Sequence, residues 1–77
     1  MKKITVYSLP NCVQCNATKR KLTALELEHE VIDVSLPENE DHLKRMKELG
    51  YLQAPVVFAG DEHWGGYRPD KLEPLAA

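Results

Sequence analysis

Two cysteines lie where a predicted strand gives way to a predicted helix, and two residues, Val13 and Gln14, separate them. Cys12 and Cys15 are the only cysteines in the chain. A disulfide between them would close a loop of four residues, and the loop-entropy relation assigns so short a loop only about 2 kcal/mol. It would also tie together no distant parts of the chain. The pair is therefore predicted to carry dithiol–disulfide chemistry rather than to act as a structural staple.

Length and charge set the broad class. The 77 residues suit one small domain covering residues 1–77. Lys and Arg total 10 against 12 Asp and Glu, which gives no reason to expect nucleic acid or an anionic membrane as a partner. No apolar run approaches the roughly 20 residues that span a bilayer, and the amino terminus has no signal-peptide core. We therefore expect a cytoplasmic monomer that binds no cofactor.

The first half of the chain alternates strand and helix. Residues 3–8 are predicted to form a strand, because β-branched and aromatic residues alternate there. A helix is predicted over 13–25, with Asn11 as its N-cap. Its buried face would carry Cys15, Thr18, Leu22 and Leu25. Residues 28–34 read as a second strand.

A second helix is predicted after a capping-box pattern formed by Ser35 and Glu38, and Gly50 is the expected stop. Its buried stripe would be Leu43, Met46 and Leu49. A strand at 55–59, a turn at 60–61, a short strand at 62–64 and a last helix from Pro69 to before Pro74 complete the order β-α-β-α-β-β-α. This order indicates an α/β fold with a four-stranded mixed sheet and three helices on its faces.

The position of the cysteines at the helix start predicts their roles. Cys12 would lie at the positive end of the helix, where unpaired amides stabilise an anion, so its pKa should be lowered. We expect Cys12 to be the attacking thiolate and Cys15, one turn further and on the packing face, to resolve the mixed disulfide.

Two other readings of the cysteines stay open. A structural zinc site needs four ligands, and His29, His42 and His63 do not have finger-like spacing. Two inert buried thiols would not need a helix start. A non-catalytic metal-binding or interaction module is the alternative from a different class. Of the three histidines, His63 is the one predicted to lie within reach of the site.

Three segments together resemble a known family. The chain from Cys12 to Lys19 reads CVQCNATK, residues 50–57 read GYLQAPVV, and residues 64–70 read WGGYRPD. They resemble the glutaredoxin-like NrdH-redoxins of the thioredoxin-fold superfamily, whose active site is C-V-Q-C or C-M-Q-C and whose later motif is W-S-G-F-R-P-[D/E]. The resemblance implies a thioredoxin/glutaredoxin-like fold and a thiol–disulfide oxidoreductase that acts as a protein electron carrier.

The resemblance also implies partners and further site residues. Family members are reduced by thioredoxin reductase and pass electrons to class Ib ribonucleotide reductase. Pro55 corresponds to the family's cis-proline beside the disulfide, although local sequence alone favours trans. Such a bond would leave the Ala54 backbone free to pair with a partner's extended chain. Gly66 and Trp64 are further predicted partner contacts, and packing is an equal alternative for Trp64.

Three departures from the family pattern bear on the reductant. Gly65 replaces the family's serine, Tyr67 replaces its phenylalanine, and Leu9 stands where many relatives have Lys or Arg. The Gly65-Gly66 pair is similar to one in glutathione-dependent glutaredoxins, which are the alternative within the same chemistry. The missing cation at Leu9 and the missing amide donor at Pro69 disfavour glutathione.

Overall fold

The computed structural model describes residues 3–76. Its elements are β1 (Ile4–Ser8), α1 (Val13–Ala24), β2 (Glu30–Asp33), α2 (Glu40–Glu48), β3 (Val56–Ala59), β4 (Glu62–Gly65) and α3 (Pro69–Leu72). Short 3₁₀ turns, Pro37–Asn39 and Glu73–Ala76, precede α2 and follow α3. The predicted order of strands and helices is confirmed.

The four strands form one mixed sheet in the order β2-β1-β3-β4. β1 pairs in parallel with β2 and antiparallel with β3, and β3 pairs antiparallel with β4. Val6 therefore lies opposite Val31 on one side and Val57 on the other. The parallel pair requires a crossover, which α1 supplies, whereas a tight turn suffices between β3 and β4.

Alternate residues of the central strands face two separate apolar layers. On one face, α1 and α3 cover a core made of Ile4, Val6, Leu22, Val57, Ala59, Trp64 and Leu72. On the other, α2 packs on a smaller core made of Tyr7, Val34, Met46 and Val56. Cys15, Thr18 and Leu22 are buried on α1, as predicted from their spacing. Leu25, predicted on the same face, is the C-cap residue and is only partly buried.

The cap of α1 differs from the prediction. The N-cap is Cys12, not Asn11, because the backbone turns one residue later than expected. Asn11 has a φ of 57°, a left-handed conformation that asparagine tolerates better than most residues. The shift brings the first cysteine into the capping position itself.

The start of α2 also differs. Ser35 does not cap the helix, because its N–H and hydroxyl both donate to the Asp33 carboxylate, at 2.9 and 2.6 Å. A 3₁₀ turn follows, so α2 begins only at Glu40, and the capping-box prediction with Glu38 is wrong. The predicted stop at Gly50 is confirmed by its φ of 94°.

The buried stripe predicted for α2 is confirmed only in part. Met46 is buried and Leu43 packs against the smaller core, but Leu49 is 42% exposed. Leu49 is the C-cap residue, where the chain already leaves the face of the helix that packs on the sheet. Within residues 3–76, no helix has the length and apolar character needed to cross a membrane.

Candidate active site

The two cysteine sulfurs lie at disulfide distance in the first turn of α1, with their Cα atoms 5.2 Å apart. Cys12 has an extended backbone at the N-cap, and the helix that begins at Val13 brings Cys15 under it. Cys12 is partly exposed, whereas Cys15 is completely buried. An attacking partner can therefore reach the Cys12 sulfur more readily than the Cys15 sulfur.

The Cys12 sulfur is itself the cap of α1. It accepts a hydrogen bond from the Cys15 N–H at 3.1 Å, and the Cys12 carbonyl accepts one from the Asn16 N–H at 3.1 Å. No acidic residue lies in the first turn. The Cys15 N–H and the positive end of the helix dipole thus point at the sulfur, which is the environment that stabilises a thiolate once the disulfide is reduced.

The turn before β3 closes over the disulfide from the other side. The Ala54–Pro55 peptide bond is cis, as the family resemblance implies, and the Ala54 carbonyl oxygen lies 3.7 Å from the Cys12 sulfur. Pro55 is buried and Ala54 is partly exposed. Within residues 3–76 the Ala54 N–H donates no backbone hydrogen bond, since strand pairing begins only at Val56. We call this backbone the Ala54–Pro55 edge.

Gln14, between the cysteines, connects the site to the segment after β4. Its Oε1 accepts a hydrogen bond from the Tyr67 N–H at 3.3 Å. The Gly66 N–H donates to the Pro55 carbonyl at 2.8 Å. Gly66 has a φ of +84°, and a Cβ there would lie 3.3 Å from Gln14 Oε1. The sequence carries no signal for this contact, because Gln14 and Tyr67 lie 53 residues apart in the chain.

The predicted partner contacts divide into two groups. Ala54 and Pro55 lie against Cys12, and Gly66 is hydrogen-bonded to Pro55. Trp64 instead belongs to the core under α1 and α3 and is 5% exposed. Its placement supports packing and gives no support to a partner contact, because its side chain points to the face of the sheet that the helices cover.

Three exposed side chains, two aliphatic and one aromatic, belong to segments that contact Cys12 or Gln14 or are next to Cys12 in the chain. Val13, next to Cys12, is 79% exposed, and Leu52, two residues before Ala54, is 82% exposed. Tyr67, whose N–H binds Gln14, is 36% exposed. We call Val13, Leu52 and Tyr67 the apolar rim. Only the fold brings the segments that carry these three residues together at one site.

The hydrogen-bond partners of the three histidines are tyrosine hydroxyls or a backbone carbonyl. His63 Nδ1 and the Tyr51 hydroxyl are 2.6 Å apart, and His42 Nδ1 and the Tyr7 hydroxyl are 3.1 Å apart. His29 Nδ1 lies 2.9 Å from the Leu27 carbonyl oxygen. Within residues 3–76, no group of three or more His, Cys, Asp or Glu side chains is arranged to hold a metal ion.

Comparison with known proteins places these features in a family. Residues 4–64 match the family model described as Glutaredoxin. The chain is 45% identical to the glutaredoxin-like protein NrdH of Salmonella typhimurium, over 94% of this chain and 86% of that protein.

Solved structures with the same fold include two that are also similar in sequence. One is the NrdH-redoxin of Escherichia coli, a glutaredoxin-like protein described as having a thioredoxin-like activity profile. It has a TM-score of 0.89 and 38% identity, and the match covers 95% of this chain and 93% of that chain. The other is a glutaredoxin of Archaeoglobus fulgidus, with a TM-score of 0.77, 32% identity and coverage of 97% and 86%.

Proposed function

Since the chain belongs to the glutaredoxin family of thiol–disulfide oxidoreductases, we propose that it is a dithiol electron carrier that thioredoxin reductase reduces and that donates electrons to class Ib ribonucleotide reductase. The cytoplasm would be its place of action. The observation that carries the proposal is the surface around the disulfide. It offers apolar side chains to a protein partner, while the polar donors near Gly66 are already engaged within the chain.

Those engaged donors argue against glutathione as the reductant. A small peptide with two carboxylates needs free N–H groups or cations beside the disulfide. The Tyr67 N–H is taken by Gln14, and Pro69 has no N–H. The Arg68 guanidinium is bound by both oxygens of Asp70, at 2.9 and 3.1 Å, and this pairing also lowers the pKa of the Asp70 carboxyl.

The apolar rim and the Ala54–Pro55 edge suit a protein partner better. An extended chain lying along Ala54 could donate to its carbonyl and accept from its N–H, as a strand added to a sheet does. Val13 and Leu52 would lose their contact with water in such a complex, which favours association. The thioredoxin-like activity profile described for the Escherichia coli relative supports the same reductant.

Two electrons would pass from the reductase to this protein, and then from this protein to its target. A reductase thiolate attacks the Cys12 sulfur and releases Cys15 as a thiolate or, with a proton, a thiol. A second reductase thiol then displaces Cys12 from the mixed disulfide. In the second half of the cycle, the Cys12 thiolate attacks a disulfide of the target, and Cys15 then attacks the Cys12 sulfur. This releases the target as a dithiol and restores the Cys12–Cys15 disulfide.

The test is a reconstituted assay that follows NADPH oxidation with a disulfide substrate. We expect turnover with thioredoxin reductase and little with glutathione plus glutathione reductase. The opposite result would make this protein a glutathione-dependent glutaredoxin. Stoichiometric zinc or iron in the purified reduced protein would instead favour a metal-binding module. A separate assay tests the acceptor. It measures the rate of deoxyribonucleotide formation by purified class Ib ribonucleotide reductase with this protein as the electron donor.

A further inference from the structure

Five aromatic rings form a continuous row on the sheet face that α2 covers only in part. In order of contact they are His42, Tyr7, Phe58, His63 and Tyr51, and the centroids of neighbouring rings are 5.3, 4.8, 5.7 and 5.6 Å apart. We call this set the aromatic row. It begins on α2, crosses β1, β3 and β4, and ends in the segment that leads to the Ala54–Pro55 edge.

Tyr51 fits against β4 at the end of the row. Its hydroxyl lies 2.6 Å from Nδ1 of His63. Its ring lies against Gly65, where an added Cβ would be 3.0 Å from Tyr51 Cδ1 and 3.2 Å from Cε1. The ring therefore occupies space that a side chain at residue 65 would otherwise take. This contact accounts for glycine at a position where the family pattern has serine.

The segment from Tyr51 to Pro55 has few other attachments. The Tyr51 N–H donates to the Met46 carbonyl at the end of α2, at 3.1 Å, and the Pro55 carbonyl accepts from Gly66. Between these points Leu52 and residue 53 are exposed. Tyr51 is consequently the side chain that attaches this segment to the sheet just before the backbone that faces Cys12.

We propose that the hydrogen bond between Tyr51 and His63 holds residues 52–54 in the conformation that presents the Ala54 N–H and Leu52 to a partner protein. Tyr51 is thus a positioning residue: it acts through the Ala54–Pro55 edge and touches no reacting atom. The inference rests on the proposed function for the identity of the partner. A segment ordered before binding loses less conformational freedom when the partner docks, so the bond should strengthen docking and leave sulfur chemistry unchanged.

The variant that tests this is Tyr51→Phe, which removes the hydroxyl and keeps the ring. Tyr7→Phe is a matched control, because it removes a tyrosine–histidine hydrogen bond of the same kind at the other end of the row, 3.1 Å long. We expect the KM of thioredoxin reductase for this protein to rise about threefold to tenfold in Tyr51→Phe, because the loss of one ordinary hydrogen bond produces a change of this size. The kcat of Tyr51→Phe, and both constants of Tyr7→Phe, should stay within about twofold. Equal KM values for the two variants would overturn the inference.

A measurement without any partner separates this inference from the proposed function. In Tyr51→Phe, the backbone ¹⁵N order parameters of Leu52 and Ala54 should be lower than in the unaltered protein, and the ¹⁵N shift of His63 Nδ1 should change because it loses its hydrogen-bond partner. Tyr7→Phe should change neither. Unchanged order parameters at Leu52 and Ala54 would refute the positioning role. If thioredoxin reductase fails to reduce even the unaltered protein, the proposed function fails and the order parameters still decide this inference.

Discussion

Val13 gives the sharpest test of whether a protein docks over the disulfide. It follows Cys12 directly, and 79% of it is exposed in the free protein. Val13→Thr keeps the shape of the side chain and replaces one methyl group with a hydroxyl. If thioredoxin reductase covers the apolar rim, this change should weaken the complex, since a hydroxyl would be removed from water where a methyl group was removed before.

The size of the effect follows from the exposed fraction. A fully buried methyl group is worth about 0.8 kcal/mol, and 79% exposure leaves about 0.6 kcal/mol of this to be gained on docking. A hydroxyl buried without a partner adds a cost of about 1 to 3 kcal/mol. Complete dehydration would thus weaken docking by about 2 to 4 kcal/mol, or about thirtyfold or more in kcat/KM for the reductase. If the reductase covers residue 13 only in part, the loss of docking free energy is smaller in proportion.

Steady-state kinetics of thioredoxin reductase, with this protein as the varied substrate, measure the effect. Val31→Thr is the matched control, because Val31 is 41% exposed on the edge strand β2, away from β3 and β4, and threonine suits a strand equally well. The rate of reduction by a small dithiol should be the same in both variants, which shows that the sulfur chemistry is intact. A kcat/KM within about twofold of the unaltered protein for both variants would refute docking over Val13.

Three further outcomes are expected. Cys15→Ser should trap a mixed disulfide with the reductase through Cys12, visible on a non-reducing gel, and trapping through Cys15 by Cys12→Ser instead would reverse the two roles. Leu22→Ala should lower the free energy of unfolding by about 2 to 5 kcal/mol in urea titration, because Leu22 is completely buried; a loss below 1 kcal/mol would mean that the core closes around the gap. Hydrogen bonds from Ser35 lower the pKa of the Asp33 carboxyl, so they stabilise the fold above the ordinary carboxyl pKa and cease to do so as the pH falls through the lowered value. Ser35→Ala should therefore be less stable than the unaltered protein at about pH 7 and closer to it at about pH 3, and a difference that does not depend on pH would contradict this.

The parts of the site that sequence could predict depend on short-range patterns. Cys12 and Cys15 are three residues apart, so a helix starting between them brings them together whatever the rest of the chain does. Burial of Cys15 follows from its period with Thr18 and Leu22 on one helix face. These features need only local geometry.

Caps were harder to predict, since several residues compete for each one. Asn11 and Ser35 are both good cap residues by type. Asn11 instead takes a left-handed turn, and Ser35 instead binds the Asp33 carboxylate. The choice depends on where the preceding strand ends, β1 for Asn11 and β2 for Ser35, and the pairing of these two strands decides this rather than local preference.

The sequence alone determined the order of strands and helices and placed the cysteine pair at the junction of β1 and α1. Hydrophobic periodicity and turn residues act over a few positions, so local patterns are enough for these features. Tertiary structure decided what surrounds the pair. Ala54 lies beside Cys12 across 42 residues, and Gln14 meets Tyr67 across 53. On β4, Trp64 faces the core under α1 and α3, and Gly65 lies against Tyr51 on the opposite face. Contacts between residues this far apart in the chain depend on how β3 and β4 pair onto the sheet, and no local pattern specifies that packing.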